Sequence, residues 1–121
     1  DLKKNIDGDW PHIYEALFRR FADLREAWGR PIPITSGYRT PDREQQVSGS
    51  RLGPHILGLS LDLGIIESEQ PKFCHLIDMV CPEVRVGTNV HPGSVHVHLD
   101  VCYLAYPRWS NSFVEGMRWS E

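Results

Sequence analysis

The run Val95-His96-Val97-His98-Leu99-Asp100-Val101 sets two imidazoles and a carboxylate at alternate positions, with aliphatic residues between them. In an extended strand, successive side chains point to opposite faces. Val95, Val97, Leu99 and Val101 then face a core, and His96, His98 and Asp100 line the other face. Such a row reads as one wall of a metal or proton-transfer site. Asp62 stands in a similar setting, between Leu61 and Leu63. Aspartate is depleted in strands, and a half-buried carboxylate needs a partner. His55 comes shortly before it, and Gly58 between them permits a sharp turn. If the strand around Asp62 neighbours the strand over 94–102, His55, Asp62 and His98 converge on one point.

Two imidazole nitrogens and a carboxylate oxygen suit zinc. Three protein ligands with a fourth position open to water are the arrangement of a catalytic site, whereas structural sites are usually closed by four. His96, about 7 Å from His98 along the strand, can move a proton without ligating the metal. Asp100 can hold a ring N–H behind it. The blander readings are hydrogen-bonded structural histidines and a buried, hydrogen-bonded aspartate. His12 and His75, both on helices, are read as structural, and His91, beside Pro92 and Gly93, as exposed.

The elements that must position these residues follow from periodicity. Trp10, Ile13, Leu17, Phe21, Leu24 and Trp28 recur at steps of three and four, which predicts a helix over 9–29. Asp9 is its expected cap, Pro11 stands just inside the start, and Gly29 is its stop. Pro31 and Pro33 lead into a short strand, Ile34-Thr35-Ser36. A helical turn is expected over 40–47 and a loop over 48–58. Strands are predicted over 59–66 and 83–88, a helix over 69–81, and an irregular aromatic tail from Tyr103 to Glu121. The last two strands can pair as a hairpin. The expected fold is α+β: a small, mainly antiparallel sheet with flanking helices, in a single domain spanning 1–121.

Composition is that of an ordinary globular chain: 121 residues, 40% hydrophobic, 24% charged, net charge -3. No basic block tracks a phosphate backbone, so no nucleic-acid partner is expected. No apolar run approaches the roughly 20 residues of a membrane span. No signal peptide is visible, and an opening Asp1 is expected of a trimmed or processed segment. Cys74, Cys81 and Cys102 have no CxxC spacing and are expected to be buried free thiols.

The segment His55-Ile56-Leu57-Gly58-Leu59-Ser60-Leu61-Asp62 resembles the His-x-x-Gly-x-Ala-x-Asp motif of the zinc D-Ala-D-Ala carboxypeptidases. Those enzymes group with vancomycin-resistance dipeptidases, phage L-alanyl-D-glutamate endopeptidases and the hedgehog signalling domain, a peptidase M15-like set. Ser36-Gly37-Tyr38-Arg39 resembles the group's upstream Ser-Gly-Tyr-Arg motif. His96-Val97-His98 is similar to the His-x-His of the lysostaphin-type peptidases, and Val97-His98-Leu99-Asp100 to the Val-His-x-Asp of the carboxypeptidase-like branch. Three motifs in order over residues 34 to 101 make the likeness specific.

The resemblance implies a hedgehog/DD-peptidase-like fold in which His55, Asp62 and His98 ligate Zn2+. Arg39, with Ser36 and Tyr38, would bind substrate, its fork of donors taking a carboxylate or an oxyanion. Gly53 stands where the group usually has serine, and Val95 where many members carry an acid, so proton transfer falls to His96. The expected activity is zinc-dependent hydrolysis of peptidoglycan stem peptides, of carboxypeptidase or endopeptidase type, at the cell wall. The alternative is a non-catalytic zinc-containing module of a phage or cell-envelope assembly, and a third reading is a metal-free fold.

Overall fold

A computed structural model describes residues 10–36, 59–105 and 114–120. The expected turn over 40–47 and loop over 48–58 lie outside these residues. Helix α1 (Trp10–Trp28) forms because Leu17 and Leu24 fall on one stripe, both fully buried, with Phe21 and Trp28 packed beside them. Gly29 ends it with φ at 76°, a left-handed conformation that a side chain disfavours. Strand β1 (Ile34–Ser36) follows. Beyond it come β2 (Ser60–Leu63), a 3-10 turn (Glu67–Glu69), and helix α2 (Gln70–Val80) with Pro71 in its first turn. Then come β3 (Arg85–Asn89), β4 (His96–Asp100), a 3-10 turn (Cys102–Ala105) and β5 (Arg118–Ser120).

The five strands form one sheet in the order β1-β2-β4-β3-β5. β1, β2, β4 and β3 pair antiparallel, and β5 joins β3 in parallel. The fold is therefore α+β with a mainly antiparallel sheet, as the periodicity predicts. The tail from Tyr103 is not wholly irregular, since it contributes β5. Three residues are too few for alternation to be legible, and β5 is held instead by its contacts. Arg118 of β5 pairs with Asp78 of α2 at 2.9 Å and donates to the Pro82 carbonyl at 3.1 Å. The Val86 N–H donates to the Met117 carbonyl at 3.0 Å.

Register separates the two faces of the sheet. Across β2 and β4, Leu61 opposes Leu99 and Leu63 opposes Val97, while Ser60 opposes Asp100 and Asp62 opposes His98. Apolar residues thus meet apolar ones, and polar residues meet polar ones. A slip of one residue would exchange the two sets, so burial of one face fixes the register. The apolar face carries Leu61, Leu63, Val86, Val97 and Leu99, and shares one core with Leu17, Leu24, Phe73 and Ile77 of the helices. Trp28 meets Phe73 edge to face at 5.1 Å, locking α1 to α2.

Candidate metal centre

The polar face is not a solvated one. Asp62, His98, Arg85 and Asp100 are all buried, Asp100 completely. Directly opposed pairs place Asp62, His98, Gly87 and Trp119 in one row across β2, β4, β3 and β5. The next row holds Ser60, Asp100 and Arg85.

Within this layer Asp62 is the hub. Its Oδ1 lies 3.1 Å from His98 Nδ1 and 3.8 Å from His96 Nε2. The other nitrogen of His98, Nε2, lies 2.7 Å from Asp100 Oδ2. Burial by itself would lower the His98 pKa. Hydrogen bonds to Asp100 and Asp62, with their negative charge, outweigh it and raise the value to about 9.

An imidazole nitrogen and a carboxylate oxygen are donor types that zinc accepts. Zinc–nitrogen and zinc–oxygen bonds near 2.1 Å in a tetrahedral site put two donors about 3.4 Å apart, close to the Asp62–His98 separation. The Nε2–H of His98 is held by a carboxylate, as metal-binding histidines usually are, and this orients Nδ1 toward Asp62. His96 is held differently. Its Nδ1 lies 2.8 Å from the Ser94 carbonyl. A carbonyl only accepts, so Nδ1 carries a proton, and Nε2 is the ring nitrogen on the Asp62 side. Among the described residues, no group of three or more His, Cys, Asp or Glu is arranged to hold a metal.

Of the residues singled out in the sequence, the structure brings together Asp62, His96, His98 and Asp100. Ser36 ends β1 opposite Asp62. Tyr38, Arg39 and His55 lie outside the described residues. His75 and His91 are exposed, away from this layer. The three cysteines are free thiols, two of them buried, and burial pushes Cys81 up to about 12. A neutral thiol is a poor metal ligand.

Sequence reasoning missed Arg85, Gln70 and Trp119. Arg85 Nε lies 3.2 Å from Asp100 Oδ1, an ion pair with both side chains buried. The alternation Val84-Arg85-Val86-Gly87 already put Arg85 on the polar face, and that signal could have found it. The buried Gln70 points its amide nitrogen at the carbonyls of Ile65, Asn89 and His96, at 3.1, 3.1 and 3.2 Å. It ties together the ends of three strands where His96 stands, and nothing in its local sequence announces this.

The chain is thus a small α+β domain with a buried Asp-His-Asp layer on one face of its sheet. The model of the peptidase M15 family matches residues 2–100, and the chain belongs to that family, a group of metallopeptidases that generally use zinc. No curated protein and no solved structure matches the chain. No described helix is long and apolar enough to cross a membrane.

Proposed function

We propose that this domain is a zinc-dependent hydrolase of peptidoglycan stem peptides, of D-Ala-D-Ala carboxypeptidase or murein endopeptidase type. His55, Asp62 and His98 would hold the zinc. The observation that carries the reading is the Asp62–His98 contact at 3.1 Å, backed by Asp100 on the far nitrogen of His98. When bound, zinc polarises a carbonyl and lowers the pKa of its water to about 7.

The chain's own residues supply the rest. Asp100 holds the His98 ring so that Nδ1 stays turned to Asp62. His96 presents Nε2 beside Asp62 and takes or returns a proton there. In this reading it does so without ligating the metal. Arg39, with Ser36 and Tyr38, carries substrate recognition through the motif these residues share with the family. Family membership supports peptide substrates; the cell-wall substrate rests on the motif likeness over residues 34 to 101.

Digestion of purified peptidoglycan, read by mass spectrometry, tests this. The expected result is release of D-Ala or cleaved stem peptides, dependent on zinc. Stoichiometric zinc without cleavage across several wall types would instead favour the non-catalytic module.

A further inference from the structure

We propose that Trp119, carried by β5, is a positioning residue of the metal centre: it holds the His98 ring and the Arg85–Asp100 pair that anchors it. The proposal rests on the zinc reading above.

The argument starts from the sheet. The matched family region ends at residue 100, so β5 lies beyond it. Yet β5 pairs with β3 in a register that sets Trp119 directly opposite Gly87. Gly87 is in turn opposite His98. A glycine here leaves a flat floor, and the indole lies in it. A Cβ built on Gly87 would stand 2.5 Å from the Trp119 ring, far inside contact distance. Room for the indole beside His98 thus depends on this one missing side chain.

Trp119 makes two contacts from that floor. Its ring lies 5.5 Å from the His98 ring, tilted by 53°. Its face also receives the Arg85 guanidinium at 4.8 Å, a cation–π distance. Arg85 pairs with Asp100, and Asp100 takes the second nitrogen of His98. The indole therefore bears on His98 twice, directly and through Arg85 and Asp100. A bulky, weakly polar ring over these charges also excludes water, which strengthens each of the buried polar contacts. Arg118, next in the strand, fastens β5 to α2 and the following turn, so the indole is held from outside the site.

Metal affinity is the direct readout, because a group that only orients a ligand changes how tightly the metal is held. Loss of an outer partner of this kind weakens metal binding by about 10–100-fold. Zinc affinity is measured by competition with a chromogenic chelator for the full chain and its Trp119→Ala, Trp119→Phe and Asp100→Asn variants. Trp119→Ala is expected to weaken zinc binding at least about tenfold, with Asp100→Asn doing the same. Trp119→Phe, which keeps an aromatic face, is expected to recover most of the loss. Phe73→Leu, in the core on the opposite face, serves as the control: it lowers the melting temperature and leaves zinc affinity in place.

If Trp119→Ala does not fold, the wild-type protein still decides. Zinc is then expected to shift the indole resonance of Trp119 and to leave that of Trp28 unchanged. Wild-type affinity in Trp119→Ala, or an unmoved Trp119 resonance on zinc binding, overturns the proposal while the zinc reading stands. A wild-type chain that takes up no zinc overturns both.

Discussion

Two hydrogen bonds converge on Asp100, from His98 Nε2 at 2.7 Å and the Cys102 N–H at 3.0 Å, and Arg85 adds an ion pair at 3.2 Å. This convergence explains how a fully buried carboxylate is tolerated and why it can aim a neighbouring ring. His98 and His96 sit on one strand face but are built for different work. One is fixed between two carboxylates; the other is tied to a carbonyl and turned toward Asp62. His96→Ala is therefore expected to keep one zinc and lose roughly 100-fold or more in turnover, the scale of a lost acid–base group. Steady-state cleavage of a stem peptide, with metal content measured in parallel, checks this. The raised His98 pKa also has a consequence for the metal-free protein. A value of about 9 in the folded state, above the usual histidine value near 6.5, means a stabilising contribution that is fully present below about 6.5. It is lost as pH rises through about 9. Thermal melts of chelator-treated protein across that window are expected to fall more steeply for wild type than for His98→Gln.

At the scale of elements, the site is a product of register. The β2–β4 pairing brings Asp62 opposite His98, and the same pairing keeps Leu61 on Leu99 in the core. Gln70 closes the end of this arrangement by tying the carbonyls of Ile65, Asn89 and His96. Gln70→Met keeps the volume but leaves buried carbonyls short of a donor, which costs about 1–3 kcal/mol; urea unfolding measures it. The strand over 95–101 was legible because one face had to be buried, so hydrophobic alternation marked both its type and its polar face. The helices were legible through their stripes, Leu17 and Leu24 in α1, Phe73 and Ile77 in α2. Asp62 was legible as an acid between leucines. β5 was not, because three residues carry no period and its stability comes from Arg118 and from Trp119 on Gly87, contacts distant in sequence. Gln70 was illegible for a related reason: its partners are main-chain carbonyls, which leave no trace in side-chain pattern.

At the scale of the molecule, the sheet divides labour between its faces. One face is an apolar core shared with both helices; the other is a buried polar layer capped at one end by β5. A cation that binds only the folded chain stabilises it by mass action, by about 2.7 kcal/mol at a hundredfold excess over its dissociation constant. Zinc is expected to raise the melting temperature of chelator-treated protein, and magnesium, which favours oxygen donors in octahedral geometry, to leave it unchanged; calorimetry distinguishes the two. The central claim is that Asp62 and His98, with His55, hold one zinc beside His96. Native mass spectrometry during a zinc titration tests it most directly. The account predicts one zinc per wild-type chain, kept in His96→Ala and lost in His98→Ala. One zinc held by His98→Ala with wild-type affinity, or none held by the wild type, would contradict it.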